Sequence, residues 1–352
     1  MNNSDTIKPL TTPVLFMIFN RPDTTRRVLE GIRKVKPTKL YIAADGPRTN
    51  VKEDTKKCKE AREIALQIDW DCTVTTLFRE ENLGCGKGPS SAMSWFFEQE
   101  EEGIILEDDC LPSPSFFSFC AELLERYRYD TRIMEIGGTN FEHEKVRGKE
   151  YSYFFSNMIY IWGWATWRRA WKLYNYEMVH YKEITNKKYL DGHFDFAYEV
   201  EHFNYIFEKM HTGDERTSRK TVWDYQWQFI CKINSGLIIV PEKNLVTNLG
   251  FGTDATNTKN PLGAGHDLKM EEMEFPLKHP ELIMVDKGRD HRYFNEICSS
   301  RSYRMKSSIK QYIPKPIFDP LKQLFKTVLR LLTPEKNEKS LTPHTRIAEN
   351  RS

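Results

Sequence analysis

Short runs of apolar and β-branched residues alternate with longer amphipathic segments over the first 130 residues of the chain. The short runs have the length and composition of strands, and they cover residues 13–20, 40–44, 73–78 and 103–106. The segments between them carry apolar residues at helical spacing and predict helices over residues 24–34, 53–68 and 87–101. Because strand and helix alternate, the pattern predicts an α/β fold with a mostly parallel sheet flanked by helices.

Aromatic residues dominate the pattern after residue 130. Tryptophans crowd the segment from Trp162 to Trp171, and Gly163 is expected to turn the chain into a helix that runs to about Tyr174. Further on, the pattern predicts a helix, a strand and a loop rich in Gly, Asn and Thr, over residues 221–233, 236–240 and 248–265.

The C-terminal segment has a basic amphipathic pattern. After three prolines, residues 321–332 place apolar side chains at three- and four-residue steps, with Lys322, Lys326 and Arg330 as a basic stripe on the other side. Such a helix is typical of a membrane-surface element, so residues 314–332 are expected to bind an anionic membrane surface. Packing of this helix against the domain or a partner is an equal alternative. The polar chain beyond Thr333 is expected to be disordered.

Composition excludes several classes of protein. The 352 residues are 39% hydrophobic and 29% charged, as in globular proteins, and a formal net charge of +2 gives no reason to expect nucleic-acid binding. Seven cysteines without a C-x-x-C pair argue against a zinc ribbon or a disulfide framework. The N-terminus is polar, and no apolar run approaches the roughly 20 residues that span a bilayer. We therefore expect a cytoplasmic protein, or one that is peripheral on the cytosolic face of the membrane.

Three consecutive acids, Glu107, Asp108 and Asp109, follow the apolar strand at 103–106. Adjacent carboxylates repel one another, so such a cluster calls for a positive partner. Ligands of open α/β sheets bind outside the carboxyl ends of the strands, where these acids are expected to lie. Their hard oxygen donors suit Mn²⁺ or Mg²⁺ rather than zinc. The alternative is a solvated turn that merely flanks the strand.

Weaker motifs follow the other strands. Asn20 and Arg21 end the first strand, and a guanidinium offers a fixed fork of donors for a phosphate or a base edge. Asp45 ends the second strand and can accept a hydrogen bond from a base, while Gly46 is expected to let a ligand approach closely. The segment 82–88 is rich in glycine but lacks the spacing of a phosphate loop, so a plain flexible turn is favoured over a helix start that binds a diphosphate.

Asp224 is flanked by Trp223 and Tyr225. Aromatic neighbours desolvate a carboxylate, which raises its pKa and makes it a better general base. The alternative is an acid that only caps the predicted helix. His266 lies in the predicted loop, where solvent exposure is favoured over metal binding.

The chain resembles nucleotide-sugar-dependent glycosyltransferases of the GT-A (Rossmann-like) fold, of the bacterial surface-polysaccharide type. It is more distantly similar to N-acetylglucosaminyltransferase I. The resemblance covers residues 13–252 and is strongest where the strand ends in Glu107-Asp108-Asp109, a form of the D-x-D motif. Its other matching elements are Pro112, Pro114, Phe116 and Phe117, then Gly163-Trp164, Trp223-Asp224, and Pro241 before a loop with Phe251-Gly252.

This resemblance implies a role for each strand-end residue. It matches Arg21 and Asp45 to nucleoside contacts, Glu107 and Asp108 to the acids that contact the donor sugar and ribose, and Asp109 to the metal ligand. Asn20 is grouped with the nucleotide-sugar contacts because it adjoins Arg21. The Trp-Asp element matches the segment that carries the catalytic base, although the distant relative has two adjacent acids where this chain has Asp224 followed by a tyrosine.

The expected function is a metal-dependent, inverting glycosyltransferase that moves a sugar from a nucleotide-diphosphate sugar, with a UDP-sugar favoured, to a glycan or lipid-linked acceptor hydroxyl. Mn²⁺ or Mg²⁺ is the expected cofactor, and surface polysaccharide or glycoconjugate synthesis the expected setting. The segment from Trp162 to Trp171 is expected to form an acceptor-side wall, with core packing as its alternative. A nucleotidyltransferase of the same fold and a non-enzymatic nucleotide- or carbohydrate-binding protein are the rival functions.

Patterning and resemblance together divide the chain into three parts. Residues 1–12 are expected to form a flexible N-terminus and residues 301–352 the basic amphipathic tail with its disordered end. Between them, residues 13–130 are expected to form the nucleotide-binding half of the GT-A domain, and residues 131–300 its acceptor-side half.

Overall fold

The computed structural model of the protein describes residues 9–142, 150–213, 222–250 and 268–298. The predicted tail lies outside these residues, as do His266 and most of the predicted loop at 248–265. Among the described residues, no helix is long and apolar enough to cross a membrane.

A mostly parallel sheet forms the centre of the fold and confirms the predicted α/β class. The strands are β1 (Val14–Ile18), β2 (Lys39–Ala44), β3 (Thr73–Phe78), β4 (Glu102–Glu107), β5 (Cys110–Pro112), β6 (Ile133–Gly137), β7 (Tyr153–Ser156), β8 (Trp164–Trp167), β9 (Leu237–Pro241) and β10 (Val246–Asn248). Eight of them form one sheet in the order β3-β2-β1-β4-β8-β6-β9-β7, in which β8 and β7 run opposite to the other six. Strands β5 and β10 form a separate antiparallel pair.

Helices cover both faces of this sheet. They are α1 (Pro22–Arg33), α2 (Lys52–Ala65), α3 (Gly84–Gln99), α4 (Pro114–Arg126), α5 (Arg168–Trp171), α6 (Tyr181–Asn186), α7 (Ala197–Thr212), α8 (Asp224–Ile233) and α9 (Lys287–Tyr293). Helices α1, α2 and α4 pack on one face and α3 and α8 on the other. The architecture is therefore Rossmann-like, with the loops after β1, β2 and β4 at one edge.

Strand β1 lies inside the sheet, which explains why its sequence is apolar without interruption. Its residues alternate between two buried clusters, with Phe16 facing one and Leu15 and Met17 facing the other. In the parallel register between β1 and β4, Met17 pairs with Glu107. The carboxyl end of β1 therefore lies beside the start of the acid triplet.

The predicted helix from Gly163 to about Tyr174 is wrong in its first half. Gly163 makes the expected turn with φ of 66°, but Trp164–Trp167 is strand β8, which pairs antiparallel with β4, and only the short helix α5 follows. Trp164 and Trp167 face opposite sides of the sheet, and each is 1% exposed. Tryptophans three and four positions apart imitate helical spacing, whereas the two clusters on either side of the sheet fix a strand.

Gly46 is crowded by protein backbone rather than by a ligand surface, contrary to the expectation from the sequence. A Cβ atom there would meet the backbone of Glu81 and would lie 2.6 Å from the carbonyl carbon and oxygen of Glu80. The Gly46 amide also donates to the Glu81 carbonyl oxygen at 3.3 Å. The absence of a side chain at Gly46 therefore keeps the end of β2 close to the segment after β3.

Gly46→Ala is expected to destabilise the protein by about 1–3 kcal/mol, because the backbone at residues 80 and 81 must move to admit the methyl group. Urea unfolding measures the change. Gly192→Ala is the matched control, since no atom lies within 4 Å of a Cβ at that position. Equal stability of the two variants would contradict the crowding at Gly46.

Candidate functional site

A cavity of about 540 Å³ opens at the carboxyl ends of β1, β2 and β4. It brings together six of the residues that the sequence singled out, namely Arg21, Asp45, Glu107, Asp108, Asp109 and Asp224. Asn20 is not among the lining residues, because its side-chain amide donates to Asp54 Oδ1 at 2.7 Å. In this structure Asn20 thus holds Asp54, and its contact with a nucleotide sugar stays a prediction.

The acid triplet is tied to the end of β1 through Asp108. Its Oδ2 accepts a hydrogen bond from the Phe19 amide at 2.9 Å, and its Oδ1 accepts one from Arg21 Nη1 at 3.2 Å. The same nitrogen of Arg21 donates to Asp109 Oδ2 at 2.7 Å. Arg21 is thus a positive partner of the cluster, bridging two acids from a loop that lies almost 90 residues earlier in the chain.

Burial and mutual repulsion change the protonation of these acids. Burial, together with the Asp109 and Asp108 carboxylates, raises the pKa of Glu107 to about 8. Burial raises the pKa of Asp108 to about 6, although Arg21 opposes the rise. Glu107 therefore holds its proton to a higher pH than an exposed glutamate does.

Asp45 anchors the beginning of α3. Its Oδ1 accepts a hydrogen bond from the Leu83 amide at 3.0 Å, and its Oδ2 accepts from the Gly84 amide at 3.0 Å and from Asn82 Nδ2 at 3.1 Å. Burial raises the pKa of Asp45, although the hydrogen bonds from the Leu83 and Gly84 amides oppose the rise. The contact between Asp45 and a nucleoside stays a prediction.

The glycine-rich segment forms the first turns of a helix, which overturns the expectation of a plain flexible turn. Helix α3 begins at Gly84, whose φ of 76° places it in the left-handed region. Gly84 and Gly88 line the cavity, and a Cβ at Gly88 would lie 3.2 Å from Asp45 Oδ2. The start of α3 therefore lines the cavity, and at Gly84 and Gly88 it does so without a side chain.

Asp224 is the first residue of α8 and lines the same cavity. Trp223 occupies the N-cap position, so Asp224 is not the capping residue that the alternative interpretation proposed. Asp224 Oδ1 accepts a hydrogen bond from the Tyr225 amide at 2.8 Å, and burial raises the pKa of the Asp224 carboxyl. The carboxylate is close enough to Glu107 to help raise the pKa of that residue. A partly desolvated acid thus shares the cavity with the triplet.

A buried carboxyl on β6 supports the helix that carries Asp224. Glu135 is 0% exposed; its Oε1 accepts from the Tyr160 amide at 2.6 Å and its Oε2 from Trp227 Nε1 at 2.7 Å. Trp227 lies one turn after Asp224 on α8. Burial raises the pKa of Glu135 to about 7, although both hydrogen bonds oppose the rise.

Glu135 is expected to make stability depend on pH. Because the folded protein holds this proton up to about pH 7 and the unfolded chain releases it near pH 4.5, the contribution of Glu135 is largest in acid and is lost as the pH rises from about 4.5 to 7. The difference in melting temperature between wild type and Glu135→Gln should therefore change in that window. As the pH rises, the melting temperature of wild type should fall relative to that of the variant. Glu98→Gln, at an exposed position, serves as the control. A constant difference would contradict the raised pKa.

Several cavity residues escaped the sequence interpretation, including Arg79, Asn248 and Gly250. Arg79 follows the end of β3, so the strand-end rule that selected Arg21 and Asp45 also points to it. Gly250 lies in the glycine-rich loop predicted over residues 248–265, although it was not singled out there. It lies against Asp109, since a Cβ there would meet Asp109 Oδ2 and would be 3.0 Å from Asn248 Oδ1. The chain after β10 thus closes one side of the Asp109 carboxylate.

The predicted acceptor wall is largely core. Trp164, Trp167 and Trp171 are buried, and the ring of Trp164 stacks on that of Trp223 with centroids 5.6 Å apart. Trp162 alone of the predicted wall lines the cavity. The alternative of core packing therefore holds for the other three rings.

The carboxylate oxygens of Asp109 suit a hard cation such as Mg²⁺, which keeps several water ligands in proteins. Among the described residues, no group of three or more His, Cys, Asp or Glu side chains is arranged to enclose a metal. Mg²⁺ in phosphate-binding sites is commonly held by one or two carboxylates together with substrate phosphates. Asp109, at the cavity wall, fits that arrangement with one carboxylate.

Comparisons with known proteins add little to this picture. No family model and no curated protein matches the chain. A UDP-glucose pyrophosphorylase complexed with UDP-glucose is 13% identical with a TM-score of 0.23, and the match covers 42% of this chain and 62% of that one. HddC from Yersinia pseudotuberculosis is 10% identical (TM-score 0.29; 45% and 78% covered), and the inositol-1-phosphate CTP transferase from T. maritima is 8% identical (TM-score 0.35; 71% and 91% covered). At these scores the similarities carry no argument about activity.

Proposed function

We propose that this protein is an enzyme that binds a nucleotide sugar, and specifically a metal-dependent, inverting glycosyltransferase with a UDP-sugar as the favoured donor. The observation that carries the proposal is that Asp224 and the acid triplet, far apart in sequence, line one cavity at the carboxyl ends of parallel strands. A desolvated base and a cluster that suits a cation are the two parts that displacement of a nucleoside diphosphate requires.

Each acid has a distinct task in this proposal. Asp224 removes the proton of the acceptor hydroxyl, for which its burial and raised pKa suit it. Glu107 binds a hydroxyl of the donor sugar, and Asp108, fixed by the Phe19 amide, contacts the ribose. A divalent metal held by Asp109 supplies positive charge to the departing diphosphate when it is bound.

A nucleotidyltransferase of the same fold is the second candidate. The observation that favours it is the presence of three arginines, Arg21, Arg48 and Arg79, among the cavity residues, because guanidinium groups bind phosphates. Against it, the loop after β1 is Asn20-Arg21-Pro22 rather than a basic glycine-rich loop for a triphosphate.

A panel of nucleotide sugars scored by thermal shift, with Mn²⁺ and with a chelator, tests the proposal. A donor at 100 times its Kd should stabilise the protein by about 2.7 kcal/mol in the presence of Mn²⁺ only. The product then separates the two candidates, since glycosyl transfer releases a nucleoside diphosphate from the nucleotide sugar, whereas nucleotidyl transfer releases pyrophosphate from a nucleoside triphosphate supplied with a sugar 1-phosphate. Absence of a shift with every nucleotide sugar would overturn the proposal.

The acceptor and the setting of the reaction belong to the same proposal. We extend the proposal to a glycan or lipid-linked acceptor, to surface polysaccharide or glycoconjugate synthesis as the setting, and to attachment to an anionic membrane surface through residues 314–332.

A further inference from the structure

Arg21 already forms an ion pair with Asp109, the acid that the proposed function assigns to the metal. Its Nη1 atom is 2.7 Å from Asp109 Oδ2 and 3.2 Å from Asp108 Oδ1. The three side chains are 24%, 14% and 7% exposed, so water screens the bridge poorly. On the other side, Gly250 closes in on the same oxygen of Asp109. The preferred metal ligand is therefore already engaged by a positive charge.

The backbone of Arg21 is fixed, whereas its side chain is long enough to reach more than one partner. Arg21 is the N-cap residue of α1, with Pro22 as the first helical residue, and its carbonyl oxygen accepts hydrogen bonds from the Thr25 amide at 2.9 Å and from Thr24 Oγ1 at 3.3 Å. A guanidinium binds a diphosphate with the same two-pronged geometry as it binds carboxylates. A rotation of the Arg21 side chain would break its bond to Asp109 while its backbone stays in place.

We propose that Arg21 is the resident counter-cation of Asp108 and Asp109 in the donor-free protein, and that a divalent metal reaches Asp109 only after a diphosphate has drawn the guanidinium away. Metal and nucleotide then bind with strong mutual coupling, and the free protein binds the metal weakly. This inference rests on the proposed function in so far as the ligand carries a diphosphate and Asp109 holds the metal.

Titration of the full chain with Mn²⁺ alone, followed through the electron paramagnetic resonance signal of the free ion, tests the inference. Arg21→Met removes the charge and keeps much of the side-chain volume, so it should bind Mn²⁺ at least about 10-fold more tightly than wild type in the absence of nucleotide. Adding Asp109→Asn to that variant should abolish the gain. Arg27→Met is the matched control, because it makes the same charge change at an exposed position of α1 and should leave Mn²⁺ binding unchanged.

Arg21→Lys provides a second measurement if Arg21→Met folds poorly in a thermal melt. Lysine keeps the positive charge beside the acids, so this variant should bind Mn²⁺ as weakly as wild type. Wild type that binds Mn²⁺ alone as tightly as Arg21→Met would overturn the inference. If Arg21→Met binds Mn²⁺ more tightly but the wild type transfers no sugar from any nucleotide sugar, the inference is supported and the proposed function is excluded. If the wild type transfers sugar but Arg21→Met binds Mn²⁺ no more tightly than wild type, the proposed function is supported and the inference is overturned.

Discussion

Replacing Asp224 with asparagine is expected to leave donor binding intact and to lower turnover roughly 10²–10⁴-fold, the usual size of a general-base contribution. Asparagine keeps the size and hydrogen-bonding oxygen of the side chain but cannot take a proton at neutral pH. Donor affinity from calorimetry and the rate of nucleoside diphosphate release measure the two parts separately. Asp23→Asn is the matched control, since Asp23 is also in the first turn of a helix but does not line the cavity.

The pH dependence of the reaction gives the same prediction a second readout. Burial raises the pKa of Asp224 above its ordinary value, so the base becomes protonated at a higher pH than an exposed aspartate does. The wild-type rate should therefore fall as the pH decreases through that pKa, and Asp224→Asn should lack this acidic limb.

Near-normal turnover of Asp224→Asn would remove this residue from the mechanism. A retaining reaction needs no base at this position, and the anomeric configuration of the product distinguishes retention from inversion. An inverted product together with normal turnover of Asp224→Asn would require a different base in the same cavity.

Replacing Asp109 with alanine is expected to abolish metal-dependent donor binding and to lower turnover by at least about 10³-fold. The reason is that the metal contributes several kcal/mol to the stabilisation of the departing diphosphate, and about 4 kcal/mol corresponds to that factor. Calorimetric titration with the donor, in the presence and absence of Mn²⁺, measures the loss directly.

The Asp109 variant also separates an enzyme from a protein that only binds nucleotides or carbohydrates. A binding protein tolerates loss of the metal ligand, so Asp109→Ala would leave its ligand affinity nearly unchanged. Glu98→Ala, at an exposed acid of α3, controls for the change in net charge. Retention of Mn²⁺-dependent donor binding by Asp109→Ala would exclude Asp109 as the metal ligand.

Most of the cavity residues that follow strands could be predicted from the sequence. A parallel sheet brings the carboxyl ends of its strands to one edge, whatever the details of packing. Arg21, Asp45 and Glu107 follow strands in the sequence and line one cavity in the structure. Their partners could not be predicted from the sequence, since the bond between Arg21 and Asp109 and the bonds that Asp45 accepts from the start of α3 join residues 37 or more positions apart. Charge repulsion showed that the triplet needed a cation, but charge alone does not distinguish a metal from a guanidinium.

Aromatic residues were the least predictable part of the chain. The tryptophans between Trp162 and Trp171 have a spacing that fits both a helix and a strand flanked by a turn, and only the two clusters on opposite faces of the sheet select the strand. The role of Glu135 could not be predicted for a related reason. A lone acid within an apolar run gives no sign that it will meet the Trp227 indole 92 positions later.

The hydrogen bond from the Phe19 amide to Asp108 has a consequence for redesign of the cavity. Asp108 is bound to the backbone at the end of β1 and Asp109 to Arg21, whereas no hydrogen bond among the described residues holds the Glu107 side chain. Charge-conserving exchange within the triplet is therefore not neutral, because a glutamate at 108 would displace its carboxylate from the Phe19 amide. Under the proposed function, position 107 is therefore the acid to vary in order to alter the choice of sugar, and positions 108 and 109 are to be left in place.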